Sequence, residues 1–275
     1  MSDRVLITVT DGIADVRFNR PDKRNALDNA QFAAIAEAGE RLKSEPGVRV
    51  VVISGNGPSF CAGLDLSSMA SLAAGPSNDT GPGGGGALDD GPGSMKHGRI
   101  THLGQQVAWV WQEIPVPVIA AVHGHALGGG IQIALGADIR IVHPATQLSV
   151  RETYWGLVPD MTGTFFLNRL VRPDIAKELV FTARVFSGAE AGELGIATRV
   201  SETPLDDAMA LAGEIAGRNP DAVRQSKALI NRMQLDDAAA QFAEERARIG
   251  SLIGTPNQME SVMSGLEKRP PNFND

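Results

Sequence analysis

Two short apolar runs, rich in β-branched residues, set the main limit on how this chain can fold. Val48–Ile53 reads VRVVVI and leads to Gly55-Asn56-Gly57; Val116–Val122 reads VPVIAAV and leads to His123-Gly124-His125. A short apolar run without alternation is the mark of a strand buried on both faces. Pro117 fits at the start of such a strand, where its missing N–H costs little. Val5–Val9, Asp11-Gly12 and Ile13–Phe18 read as a hairpin. Ile139–Val142 and Gln147–Val150 read as further strands. Between the strands, Asn29–Leu42 (Phe32, Ile35, Ala38, Leu42) and Ile100–Trp111 carry helical spacing, and a helix is expected over Ile131–Gly136. From Pro173 onward the chain turns helical: Asp174–Phe181, Ser187–Leu194, Pro204–Arg218, Asp221–Met233, Leu235–Ile253 and Met259–Leu266. Ser187 and Glu190 offer a capping box at one of these starts. Strands alternating with helices, followed by helices alone, predict an α/β core over residues 1–200 and an all-helical region over 201–275.

Composition excludes several functions. Thirty-two acidic residues against 25 basic ones give a net charge of −7, where a nucleic-acid binder normally shows a basic face. The single cysteine, Cys61, has no partner in the chain, which points to a reducing compartment. No apolar run approaches the ~20 residues that span a bilayer, and no apolar leader opens the sequence, so a cytoplasmic protein without a membrane or nucleic-acid partner is expected. Residues 75–93 hold eight Gly and three Pro in nineteen positions, too many for a helix or strand. They are read as part of a flexible insertion over 71–98.

Familiar glycine and metal motifs fail. Phe60 stands where the third glycine of a dinucleotide fingerprint belongs after Gly55 and Gly57. There is no Gly-Lys of a phosphate loop, no Gly-x-Ser-x-Gly elbow and no metal-ligand spacing among the five histidines. No metal and no separate cofactor are expected. Two segments remain: Ser59–Leu66 and Val122–Gly130, each after a buried strand. The glycines Gly128-Gly129-Gly130 at a helix start leave backbone N–H groups unobstructed. Paired with N–H groups from a second loop, they could hold an oxyanion; the plainer alternative is a tight strand-to-helix connection.

The chain also carries Asn19-Arg20-Pro21 with Lys23-Arg24-Asn25-Ala26-Leu27, then Phe60–Leu66, Ala120–Gly124, Gly128–Gly130, Ala137-Asp138-Ile139-Arg140, and Glu152 with Gly156-Leu157-Val158-Pro159. In this order and spacing they resemble the crotonase (enoyl-CoA hydratase/isomerase) superfamily over almost the whole length. The resemblance implies a superhelix of ββα turns with an all-helical C-terminal region that builds homotrimers or dimers of trimers. It implies an acyl-CoA thioester as substrate, its carbonyl held by the N–H groups of Leu64 and Gly129 while an enolate forms. Lys23, Arg24, Ala26, Ala62, Gly63, Asp65 and Leu66 would line the CoA end, and Gly128 and Gln132 would also bind substrate, Gln132 by orienting an acid or the thioester.

Family hydratases use two glutamates, and here the first position is Gln132, which exchanges no proton near neutral pH. The second is Glu152. Asp160, eight residues on, resembles the dienoyl-CoA isomerase branch. The resemblance thus implies Glu152 and Asp160 as the proton-transferring residues. Simpler roles are an ion pair of Glu152 with Arg151 and helix capping by Asp160 onto residues 162–165. A double-bond isomerase acting on unsaturated acyl-CoA is expected, with an enoyl-CoA hydratase, or a non-catalytic CoA-binding homologue, as the alternatives.

Overall fold

A computed structural model describes residues 3–65, 68, 92–96 and 98–273, without the side chains of 233–236. Leu66 and nearly all of the glycine-rich stretch over 71–98 lie outside the described residues.

The main sheet holds six strands in the order β1 (Val5–Thr10), β2 (Ile13–Phe18), β3 (Val50–Gly55), β4 (Val118–Val122), β6 (Ile139–Val142) and β9 (Arg199–Val200). β1 and β2 form the expected hairpin, in register from Val5–Phe18 to Thr10–Ile13, and every later pairing is parallel. A small second sheet joins β5 (His125–Leu127), β7 (Gln147–Ser149) and β8 (Phe186–Ser187).

Both faces of the main sheet are covered, which is why β3 and β4 read as unbroken apolar runs. Val51 and Ile53 of β3, with Val118, Ala120 and Val122 of β4, belong to the large core. α1 (Asn29–Leu42) and α2 (Leu103–Glu113) contribute to the same core. Val50 and Val52, with Ile119 and Ala121, face the other way, against α7 (Pro204–Ala216). That helix presents Ala208, Ala212 and Ala216 at four-residue steps, a smooth face that lets it lie close to the sheet. Full burial of one such Val or Ile is worth about 1.5–3 kcal/mol. α1 starts where Asp28 accepts from the Gln31 N–H, a side-chain cap.

The remaining helices are α3 (Gly129–Leu135), α4 (Gly163–Leu170), α5 (Pro173–Thr182), α6 (Gly188–Leu194), α8 (Pro220–Leu252) and α9 (Pro256–Glu267). The sequence split α8 into two helices near Met233–Leu235. The structure corrects this to one helix of 33 residues, because no Gly or Pro stands between Pro220 and Gly250, in its last turn. β5, β8 and β9 were not anticipated, and α4 only as a helix start for Asp160 to cap. Far along α8, Phe242 joins Trp109, Phe165 and Phe166 in a cluster of mostly edge-on rings, which binds that helix to the α/β core. Among the described residues no helix is long and apolar enough to cross a membrane.

Candidate active site

The two glycine-bearing loops are stitched together by backbone. The Cys61 N–H donates to the His125 carbonyl at 3.0 Å, and the Leu127 N–H to the Cys61 carbonyl at 3.2 Å. On the other edge, the Leu27 N–H donates to the Gly63 carbonyl at 2.8 Å and the Asp65 N–H to the Leu27 carbonyl at 2.9 Å. The Leu64 N–H between them has no partner among the described residues, nor has the Gly129 N–H, the first of α3. Gly63 sits at φ +85°, and a Cβ there would stand 2.5 Å from the Leu127 carbonyl oxygen and 3.8 Å from the Gly129 nitrogen. Only glycine lets the loops approach so closely. Two unpaired N–H groups on adjoining loops form a site that can hold a developing oxyanion.

Beside them stands Glu152, buried, in a short 3-10 turn (Glu152–Trp155). A Cβ on Gly128, at φ +52°, would come within 3.2 Å of its Oε1. Gln132, on α3 and fully buried, donates its Nε2 to Glu152 Oε1 at 2.6 Å. Glu152 Oε2 is buried with no hydrogen-bond partner among the described residues. An ionised oxygen left in that state is costly. Burial accordingly pushes the Glu152 carboxyl up to about 7; its own backbone N–H and Gln132 oppose the rise and the charge of Glu245 adds to it. The ion pair with Arg151 does not form: Arg151 donates to the Ala183 carbonyl and lies over the Tyr154 ring.

Asp160, half-buried, belongs to the same group. Desolvation, then the charges of Glu152 and Glu245, push its carboxyl up to about 7. The structure gives the cap of α4 to other side chains. Gln132 Oε1 accepts the Met161 and Gly163 N–H groups, both at 2.9 Å, and Glu245 Oε2 accepts that of Thr162 at 3.1 Å. Thr162 lies at φ +71°, so successive N–H groups diverge, two toward Gln132 and one toward Glu245. With those groups taken, the Asp160 carboxylate is available for another role.

The basic pair lies at the outer end of the same loops. Lys23 and Arg24 are exposed on a turn fixed by buried Asn25, whose side chain accepts from the Arg20 N–H and donates to the Asn56 and Ser59 carbonyls. The Ala62 N–H donates to the Arg24 carbonyl at 3.0 Å, and Ala26 is buried beneath. Asp65 is held by Arg20 at 2.7 Å. Cys61 is a buried core residue whose thiol burial pushes up to about 12, no nucleophile near neutral pH. Sequence reasoning missed Glu245, because only the fold brings α8 to this turn. Two surface cavities of about 650 and about 640 Å³ open elsewhere, around Phe181 and around Ile230, and contain neither the free N–H groups nor the acids.

The sequence profile described as enoyl-CoA hydratase/isomerase matches residues 13–274. The crotonyl-CoA hydratase of Syntrophomonas wolfei is 32% identical over 98% of both chains. The mitochondrial methylglutaconyl-CoA hydratase of Mus musculus is 32% identical over 95% of this chain and 79% of its own. The crystal structure of an enoyl-CoA hydratase/isomerase from Pseudoalteromonas atlantica superposes with a TM-score of 0.82 at 26% identity, covering 98% of this chain and 100% of that one. Paired free N–H groups beside the acids Glu152 and Asp160 thus occur in a chain that is similar along its length to acyl-CoA enzymes, and the protein belongs to the enoyl-CoA hydratase/isomerase family, an enzyme of the crotonase fold.

Proposed function

We propose that the protein moves a carbon–carbon double bond along an unsaturated acyl-CoA. The observation that carries this reading is the commitment of Gln132. Its amide nitrogen is spent on Glu152 Oε1 and its carbonyl on two backbone N–H groups. It therefore has little left to hold a water, and it cannot trade a proton. What remains is one unpartnered carboxylate oxygen, Glu152 Oε2, with Asp160 close enough to feel its charge. In this reading the thioester oxygen sits between the Leu64 and Gly129 N–H groups. Glu152 takes a carbon-bound proton and the electron pair moves onto the thioester oxygen as a dienolate. Glu152 or Asp160 then returns a proton at the other end of the conjugated system. With both carboxyls near 7, the pair holds about one proton at neutral pH, one group as base and the other as acid.

Lys23 and Arg24 would meet the CoA phosphates. Exposed apolar side chains on the helices, Phe181, Leu229, Ile230, Met263 and Leu266, support a homotrimer or dimer of trimers. A cytoplasmic location agrees with the buried free thiol.

Hydration is the second reading, favoured by relatives named as hydratases; Glu152 and Asp160 would then hold the water. Incubation with a 3-enoyl-CoA and, separately, with crotonyl-CoA tells them apart. Conversion of the first to the 2-enoyl isomer, with little 3-hydroxyacyl-CoA from the second, supports isomerisation; the opposite pattern overturns it.

A further inference from the structure

The site holds a third carboxylate that the proposed chemistry does not use. Glu245 comes from α8, is 4% exposed, and takes hydrogen bonds on both oxygens. Oε2 accepts from Gln105 Nε2 and from the Thr162 N–H, both at 3.1 Å. Oε1 accepts from Thr164 Oγ1 at 2.6 Å, and Thr164 Oγ1 in turn accepts from Gln241 Nε2 at 2.8 Å. Amide and backbone N–H groups only donate, and the Gln241 bond leaves the threonine proton to point at Glu245. All the partners are donors, so the arrangement is built for an anion.

The charged and titratable neighbours are few. On its own helix, Arg246 donates to Gln105 Oε1 and to the Ile100 carbonyl, one hydrogen-bonded residue away. At the head of α2, His102 accepts the Gln105 N–H on Nδ1, and burial, aided by Arg246, holds it down to about 4, so it stays neutral. On the site side stand Glu152 and Asp160, both of which feel the charge of Glu245. Burial raises Glu245 itself, while the donors from Thr164, Gln105 and Thr162 and the charge of Arg246 pull it back.

We propose that Glu245 is a positioning residue for the acid–base pair: a carboxylate anion that anchors the turn carrying Asp160 and, by its charge, keeps one proton shared between Glu152 and Asp160 at neutral pH. The proposal rests on the reading that this pair moves the substrate proton. It adds that the protonation of the pair is set from α8, through Thr162 and Thr164. The geometry gives Glu245 no role as proton donor or acceptor to substrate.

Glu245→Gln tests it. Loss of the negative charge makes both site carboxyls easier to ionise. The acid limb of the kcat/KM profile is expected to move down by roughly half a pH unit or more. Glu245→Asp, which keeps the charge, should hold the limb near its wild-type position even if kcat falls. Thr164→Val removes one donor, favours the protonated form of Glu245, and should move the limb the same way by less; it carries the test if Glu245→Gln does not fold. Infrared titration of buried protonated carboxyls gives a readout without turnover. Their band should fall through its midpoint near pH 7 in the wild type and at lower pH in Glu245→Gln. If the wild type isomerises no acyl-CoA, the functional reading fails and the infrared titration alone judges the proposal. An unmoved limb and an unmoved band, with activity lowered equally at all pH, would leave Glu245 a structural cap and overturn the proposal.

Discussion

Gln132 Nε2 lies 2.6 Å from Glu152 Oε1, and this one bond makes the two oxygens of Glu152 unequal. Oε1 is occupied; Oε2 is buried and bare. Gln132→Glu removes the donor and sets a further carboxylate beside Glu152, Asp160 and Glu245. Repulsion then raises the pair. Isomerase activity at pH 7 should fall at least about tenfold, since general acid–base catalysis is worth roughly 10²–10⁴-fold. The acid limb should move to higher pH, the opposite of the shift expected for Glu245→Gln. A pH–rate profile of the variant checks the direction.

Glu152→Gln should trade activity for stability. The Glu152 carboxyl is near 7 in the folded protein against an ordinary 4.5. Its folded form therefore holds a proton more tightly than the unfolded chain does. That contribution is fully present below about pH 4.5 and is lost as pH rises through about 7, reaching on the order of 3 kcal/mol. A neutral glutamine avoids the loss. Urea unfolding at pH 8.5 should show Glu152→Gln more stable than wild type, by about 1–3 kcal/mol. The difference should fade by pH 5, where Glu152 is already protonated. Isomerisation should fall by about 10³-fold or more, because the group that takes the carbon-bound proton is gone. Equal stability at both pH values would contradict the assignment.

These two residues also show what could and could not be read along the chain. β3 and β4 were legible because strands buried on both faces must be apolar at every position. α1 was legible because Phe32, Ile35, Ala38 and Leu42 recur at helical spacing; the cap by Asp28 was seen only in the structure. The loops around Leu64 and Gly129 were legible because the close approach at Gly63 and the conformation at Gly128 leave a local trace. The start of α4 was named but its cap was misplaced on Asp160, because the groups that hold it, Gln132 and Glu245, come from distant elements, while Thr162 at its own N-terminus makes no side-chain cap. β5, β8 and β9 are two or three residues each and exist only through pairing with partners remote in sequence. Glu245 sits in a polar stretch of α8 and looks like a solvated acid until the fold turns it inward.

Gly63→Ala should disable the oxyanion pair more than it weakens CoA binding. A Cβ 2.5 Å from the Leu127 carbonyl forces the two loops apart, and φ +85° adds strain on the order of 1 kcal/mol. Leu64 and Gly129 then no longer converge on one oxygen. Loss of one such donor costs roughly 10²–10³ in kcat. A drop of that size in kcat, with a smaller loss of affinity for free CoA, is the expected result. Calorimetric CoA binding beside steady-state kinetics checks both halves.

Lys227 gives the contrasting case of a buried charge with no part in the chemistry. On the same helix as Glu245, its Nζ meets Asp138 Oδ2 at 2.7 Å and the carbonyls of Trp111 and Val116 at 3.1 and 3.0 Å. Asp138 also accepts the Val118 N–H at 2.7 Å, so the pair ties α8 to the start of β4. Lys227→Met strands the Asp138 charge and both carbonyls and should cost about 3–5 kcal/mol. Adding Asp138→Asn removes the stranded charge while its amide oxygen still accepts from Val118. The double variant should therefore recover part of the loss, a non-additivity that marks a direct pair. Denaturant midpoints of the four proteins give the coupling. Where each variant is folded, kcat/KM should stay within about twofold of wild type, because the pair holds the strand and helix in place without touching the acids. A large kinetic effect in the folded double variant would show that the β4 end and the acid cluster move together.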